Sequence, residues 1–173
     1  MDDTTRIQLE LISEVSTLLT GANIEHCLMG GWALDFLIGH VTRHHDDVDF
    51  FVWATDAEKI RDLLTSNGYA YQDYSNPDYS AFFRKHGQLI DFTFLERDEH
   101  NAIRVAGPFR DWVLPQTCFS RTNISLNGIK CPVLDAAGQI HIKTELRNYL
   151  PDWPERAKDI EDIALLRQLT ETH

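Results

Sequence analysis

The sequence lacks the features that mark secreted and membrane proteins. No apolar run in its 173 residues approaches the roughly 20 residues of a membrane-spanning helix. The first residues, MDDTTRIQLELI, lack the basic and apolar segments of a signal peptide. Only three cysteines occur (Cys27, Cys118 and Cys131), and their spacing fits neither a disulfide framework nor a zinc site. We therefore expect a cytoplasmic protein with reduced thiols and no membrane partner.

An excess of basic residues is also missing. Sixteen Lys and Arg face 27 Asp and Glu, which gives a formal net charge of -11. A general nucleic-acid binder needs a basic surface, so we expect no nucleic-acid partner. The acidic balance suits a cationic small molecule, or simply a soluble acidic protein. The 43% hydrophobic and 25% charged residues are ordinary for a globular domain with a proper core.

The segment GGWALDFLIGHVTRHHDDVDFFVW, residues 30–53, carries the strongest chemical signal. If a helix follows Gly30 and Gly31, its free N–H groups would face a bound anion such as a phosphate. Asp47 and Asp49 are two residues apart, so on a strand they point to one face. Two buried carboxylates repel unless a cation lies between them, and Mg²⁺ also takes phosphate oxygens as ligands. The alternative is a plain turn followed by an exposed acidic loop.

A third carboxylate lies in the apolar run Leu-Ile-Asp-Phe-Thr-Phe. Asp91 is the lone charge of this predicted strand, and a charge in the middle of a buried strand needs a partner. If the strand lies beside residues 48–53, Asp91 joins Asp47 and Asp49 around the same metal ions. It could then accept a proton from an attacking hydroxyl group. Alternatively, it is an acid that faces water.

Basic and histidine residues accompany these acids. Arg43 suits a phosphate, or a structural ion pair with Asp46. His44 and His45 could bind zinc, although the neighbouring carboxylates favour a harder metal. Asp35 is interpreted as a solvated or capping residue of the predicted helix. The cations considered for a triphosphate further along the chain are Lys143 and Lys158, although most such lysines are simply solvated.

The order of predicted elements indicates an α+β fold. We expect an α+β core at residues 1–134 and a helical C-terminal region at 135–173. Helices are predicted at 4–19, 32–38, 56–67, 135–146 and 155–169. Strands are predicted at 24–29, 48–53 and 69–74, and hairpins at 79–84 with 88–95 and at 123–126 with 129–134.

The pattern GGW, then TRxHDDxD, then an apolar strand with one Asp resembles the DNA polymerase β-type nucleotidyltransferase superfamily. GGWALDFLIGHVTRHHDDVDF is similar to the signature of the aminoglycoside 2″-nucleotidyltransferases, and lincosamide nucleotidyltransferases share GGW, a basic loop and paired acids. The resemblance is close over residues 28–51. It implies a polymerase β-type fold, with a mixed sheet flanked by helices and a small helical part covering the cleft. It also implies that Asp47 and Asp49 bind Mg²⁺ with Asp91 as third acid and base, and that Gly30 and Gly31 hold the triphosphate.

The expected reaction moves a nucleoside monophosphate, AMP from ATP, to an antibiotic hydroxyl with two Mg²⁺ ions. An aminoglycoside is the first expectation for the acceptor, and the protein would act as a monomer or homodimer. Thr93 departs from the aminoglycoside group, where an acid stands at this place. Loop acids are candidates to line a cleft for an aminoglycoside (Asp73, Asp78, Glu96, Asp98 and Glu99), whereas a lincosamide would need aromatic residues (Tyr71, Tyr74, Tyr79 and Trp112). The alternatives are nucleotidylation of a protein and a pure binding module.

Overall fold

One mixed sheet runs through the molecule. In the computed structural model, which describes residues 2–119 and 123–171, the sheet order is β1-β2-β5-β4-β3, and β6 and β7 extend it from the end of β5. Only β2 and β5 among these strands pair in parallel. The bounds are β1 His26–Met29, β2 Asp47–Trp53, β3 Ala70–Tyr71, β4 Ser80–Lys85, β5 Gln88–Arg97, β6 Ile103–Val105 and β7 Val113–Leu114. The predicted strand at 69–74 is therefore shorter than expected.

Five helices and a separate hairpin complete the described parts of the chain. The helices are α1 Asp3–Gly21, α2 Gly30–Ile38, α3 Ala57–Ser66, α4 Ala136–Tyr149 and α5 Ala157–Glu171. The hairpin pairs β8 Asn123–Leu126 with β9 Ile129–Pro132. Its turn has positive φ at Asn127 and Gly128, as the Asn-Gly signal predicts. The α+β fold with a mixed sheet and flanking helices is thus confirmed, although α2 begins at Gly30 rather than after the glycines.

Side chains alternate along β2 and β5, so one face of the sheet packs into the main core and the other face does not. The residues on one face are buried against α1 and α3 (Val48, Phe50, Val52, Ile90, Phe92 and Phe94). The rings of Phe50 and Phe92 stack there at 5.6 Å between centroids. Because side chains alternate along a strand, Asp47, Asp49 and Asp91 point to the opposite face.

The helix α4 covers part of that opposite face. Its Ile142, Leu146 and Tyr149 pack against a second apolar cluster that includes Phe51 and Trp112. The rings of Trp112 and Tyr149 stack 4.9 Å apart with an interplanar angle of 8°. Asp135 caps the helix by accepting a 2.7 Å hydrogen bond from the backbone N–H of Gly138. The expected division after residue 134 falls at this cap and stays a prediction.

The cysteines are buried apolar residues. Cys27, Cys118 and Cys131 are all free thiols. Burial raises the pKa of Cys118 and of Cys131 to about 12, so neither forms a thiolate readily near neutral pH. None of the helices in the two described ranges has the length and apolar composition of a membrane span.

Candidate active site

A cavity of about 410 Å³ lies between the sheet and the C-terminal helices. Asp47, Asp49 and Asp91 all line it. In the parallel β2–β5 ladder, Asp49 is directly opposite Asp91, while Asp47 is opposite Leu89. The sequence predicted that the strand of Asp91 lies next to β2, and the structure confirms that arrangement. Three carboxylates from two neighbouring strands therefore share one wall of the cavity.

The raised pKa values of the three acids show the electrostatic cost of placing them together. Burial raises the pKa of Asp49 well above its ordinary value, and the charges of Asp47 and Asp91 raise it further. Burial, followed by the charge of Asp47, raises the pKa of Asp91 to about 7. The pKa of Asp47 is also raised, by burial and then by Asp46. Without a cation, this wall of the cavity is under like-charge repulsion.

The donor set fits a hard divalent cation. Oδ1 of Asp91 is buried and has no hydrogen-bond partner. Among residues 2–119 and 123–171, no three Asp, Glu, His or Cys side chains already converge closely enough to hold a metal. A Mg²⁺ ion bound by Asp47, Asp49 and Asp91 would take its other ligands from water and phosphate oxygens, which is the usual coordination of this ion.

The glycine pair is packed against the acidic wall. Gly30 has φ +71°, and a Cβ there would lie 2.4 Å from Oδ2 of Asp49. A Cβ on Gly31 would lie 2.5 Å from Nδ1 of His45 and 3.0 Å from Nη2 of Arg43. The glycines at the start of α2 thus let a carboxylate, an imidazole and a guanidinium approach the backbone closely.

We expect Gly31→Ala to lower kcat/KM by at least tenfold, because the added methyl group displaces His45 or Arg43 from the glycine turn. Gly21→Ala is the matched control, since a Cβ at Gly21 at the end of α1 would meet nothing within 4 Å. The measurement is steady-state turnover of both variants, with thermal unfolding as a check on folding. Equal activity in the two variants would contradict the close packing at Gly31.

Asp35 is not the solvated or capping residue that we predicted. It is completely buried, and its carboxylate accepts hydrogen bonds from the N–H and Oγ1 of Thr42, at 3.1 and 2.6 Å. Nε2 of His45 lies 2.6 Å from the other oxygen of Asp35. His44 instead lies on the outside, with Nδ1 3.8 Å from Asp2. The two histidines face different partners, so their arrangement does not support a shared zinc site.

The cations predicted to bind phosphate, Arg43, Lys143 and Lys158, all line the cavity, but their ion-pair partners were not predicted. Arg43 makes a two-pronged ion pair with Asp162 at 2.8 and 2.9 Å, so the alternative of a structural pair with Asp46 is wrong. Lys158 contacts Asp46 instead, at 3.2 Å. Lys143 contacts Asp162 at 2.8 Å and also Asp159. Whether these cations bind phosphate stays a prediction.

Sequence reasoning missed the acids of α5 and one further cation. Asp159 accepts bonds of 2.6 and 2.9 Å from Arg156, which also lines the cavity. Asp159 and Asp162 are three residues apart, which places them on one helix face. That spacing, directly after Pro154, Arg156 and Lys158, was the available signal.

The other part of the cavity is apolar and aromatic. Its lining includes Phe51, Tyr79, Phe82, Phe109, Trp112, Leu146 and Trp153. Of the aromatic residues considered for a lincosamide, Tyr79 and Trp112 line the cavity, whereas Tyr71 and Tyr74 do not. The five loop acids expected near an aminoglycoside are all in described segments, and none of them lines it. Their predicted place at the cleft is therefore wrong.

A mixed sheet that brings three carboxylates from neighbouring strands to a glycine turn, in a cavity that basic residues also line, is the arrangement expected of a nucleotidyltransferase. The family model for aminoglycoside-2″-adenylyltransferase matches residues 11–166, and the chain belongs to that family.

Relatives by sequence and by structure include two kinds of antibiotic enzyme. A lincosamide resistance protein of Staphylococcus haemolyticus is 26% identical over 109 residues, which cover 62% of this chain and 68% of that protein. ANT(2″)-Ia in complex with adenylyl-2″-tobramycin superposes with a TM-score of 0.70 at 22% identity, covering 92% and 87% of the two chains. The lincomycin-bound lincosamide adenylyltransferase LnuA also gives 0.70, at 19% identity, covering 97% and 99%. These two superpositions establish the shared fold.

Proposed function

We propose that the protein transfers AMP from ATP to a hydroxyl group of an antibiotic. The observation that carries this proposal is the alignment of Asp49 with Asp91 across parallel strands, with Asp47 beside them on the same cavity wall. The family and its antibiotic-modifying relatives support the acceptor class. Asp47, Asp49 and Asp91 would hold two Mg²⁺ ions, which supply charge stabilisation to the attacking and leaving oxygens.

The polar end of the cavity would bind the nucleotide, and the apolar end would bind the acceptor. The triphosphate would lie at the start of α2, where backbone N–H groups favour an anion and where Gly30 and Gly31 let Asp49 and Arg43 approach the backbone closely. Arg43, Lys143 and Lys158 supply positive charge to its oxygens. The apolar part of the cavity orients the acceptor so that its hydroxyl group faces the α-phosphorus.

In the transfer step, the acceptor oxygen forms a bond to the α-phosphorus while the bond between that phosphorus and the β-phosphate oxygen breaks. Asp91 accepts the hydroxyl proton, and pyrophosphate leaves along the glycine turn. In the metal-free protein, burial and then the charge of Asp47 raise the pKa of Asp91 to about 7, and a cation at the acidic wall would favour its ionised, proton-accepting form.

The cavity lining favours a lincosamide-class acceptor over the aminoglycoside expected first. An aminoglycoside carries several ammonium groups, which need acids near the binding site. The acids on the described cavity wall are Asp46, the three clustered carboxylates and Asp159, and Asp159 is already paired with Arg156 and Lys143. Thr93 lines the cavity where an acid was expected from the aminoglycoside group. Aromatic surfaces such as Trp112 and Tyr79 suit a less charged molecule.

The test is a pyrophosphate-release assay with ATP, Mg²⁺ and a panel of lincosamides and aminoglycosides. We expect release only with drug and Mg²⁺, and a higher kcat/KM for a lincosamide. EDTA and the omission of drug are the controls. Higher efficiency with an aminoglycoside would reverse the acceptor assignment. If no drug supports release, labelled ATP and a cell lysate would test nucleotidylation of a protein, and the antibiotic proposal would fail.

A further inference from the structure

The ion pairs of Asp162 connect three separate parts of the chain. Asp162 lies on α5 and its side chain is only 2% exposed. It accepts hydrogen bonds from both Nη groups of Arg43, in the loop before β2, and forms a 2.8 Å ion pair with Nζ of Lys143, on α4. A buried carboxylate with two cations is costly to desolvate, and removal of one member leaves uncompensated charge. This arrangement therefore fixes the positions of Arg43 and Lys143 closely.

Both cations face the polar end of the cavity. Nη2 of Arg43 is 3.0 Å from the place where a Cβ on Gly31 would be, so the guanidinium lies against the glycine turn. Lys143 and the three clustered carboxylates line the same cavity. The two cations held by Asp162 thus flank the region between the glycine turn and the carboxylates.

We propose that Asp162 is a positioning residue for the nucleotide: it holds Arg43 and Lys143 in place to receive the triphosphate of ATP. This inference rests on the proposed function. Asp162 itself does not touch the nucleotide, and it acts through the two cations.

Arg43 and Lys143 have enough hydrogen-bond donors to contact Asp162 and a triphosphate at the same time. A guanidinium has five N–H donors and an ammonium has three. Arg43 uses two of its donors on Asp162, whereas Lys143 donates one hydrogen bond to Asp159 and contacts Asp162 as an ion pair. Both cations therefore keep donors for phosphate oxygens. The triphosphate need not displace Asp162, so the carboxylate can act as a fixed anchor rather than as a competitor.

The experiment measures binding of ATP with Mg²⁺ by calorimetry, and the KM for ATP and for drug, in three proteins. These are the wild type, Asp162→Asn and the control Glu155→Gln. Glu155 pairs with Arg147 of α4 through side chains that are 64% and 56% exposed, outside the cavity lining. For Asp162→Asn we expect at least a tenfold weaker ATP affinity and higher KM for ATP, with KM for drug within twofold of wild type. Glu155→Gln should match wild type in all three values.

A second variant separates a loss of ATP affinity from a failure to fold. Asp162→Glu keeps the charge but moves the carboxylate by one methylene group, so a threefold to tenfold loss of ATP affinity is expected in a folded protein. The inference is overturned if folded Asp162→Asn binds ATP as tightly as wild type or more tightly. It is also overturned if Asp162→Glu binds ATP normally while Asp162→Asn does not fold, because Asp162 would then be purely structural. Failure of the wild type to bind ATP with Mg²⁺ would instead count against the proposed function.

Discussion

Asp49→Asn is expected to abolish nucleotidyl transfer and at the same time to stabilise the metal-free protein. The lost carboxylate would remove charge stabilisation of several kcal/mol from the transition state, so kcat should fall on the order of 10³-fold. In the absence of Mg²⁺, the neutral amide relieves the burial cost and the repulsion from Asp47 and Asp91 that raise the pKa of Asp49. The free energy of unfolding at pH 7 should therefore increase by roughly 1–3 kcal/mol.

Two measurements check this prediction. Pyrophosphate release reports turnover, and urea unfolding in EDTA reports stability. Asp62→Asn is the control, because Asp62 is exposed on α3 and is not among the residues that line the cavity. It should leave both quantities near the wild-type values. Retained turnover in Asp49→Asn would refute a role for this residue in metal binding, and lower stability in EDTA would refute the repulsion.

The acidic wall could be predicted from sequence because it depends on local rules. The spacing of Asp47 and Asp49 fixes a common face once a strand is assumed. The apolar flanks of Asp91 identify a central strand, which must pair with another central strand. The structure confirms the neighbouring strands and the shared face. The turn at Asn127 and Gly128 follows from its dipeptide in the same way.

The partners of the cations could not be predicted, because they are distant in sequence. Arg43 and Asp162 are 119 residues apart, and no periodic pattern links the loop before β2 with α5. Asp46 was the nearest acid to Arg43, and proximity in sequence gave the wrong partner. The prediction for Asp35 was wrong for a related reason. Its position in the helix looked solvated, but the following loop folds back and supplies Thr42 and His45 as hydrogen-bond partners.

The apolar acceptor region shows a third limit of sequence reasoning. Five acids suggested a site for a cationic drug, yet none of them is among the residues that line the cavity. The cavity is lined instead by Phe109, Trp112 and Leu146, which come from separate elements. Net charge reports the whole surface and says little about which residues meet in one pocket.

Asp91→Asn is expected to lower kcat by about 10²–10⁴-fold, the range for loss of a general base. The same substitution should alter how stability depends on pH. The pKa of Asp91 is raised from 3.8 to about 7 in the folded protein. Between these values, the folded protein keeps a proton that the unfolded chain has lost, so the free energy of unfolding falls as pH rises.

In EDTA, the wild type should thus lose stability from pH 4 to pH 7, with a contribution on the order of 2–4 kcal/mol from Asp91. The neutral amide of Asp91→Asn has no such proton, so urea unfolding of the variant should depend less steeply on pH over this interval. Asp62→Asn again serves as the control and should keep the wild-type slope. An unchanged slope in Asp91→Asn would mean that Asp91 ionises normally in the folded protein. A proton acceptor tuned to neutral pH would then have to be sought elsewhere in the cavity.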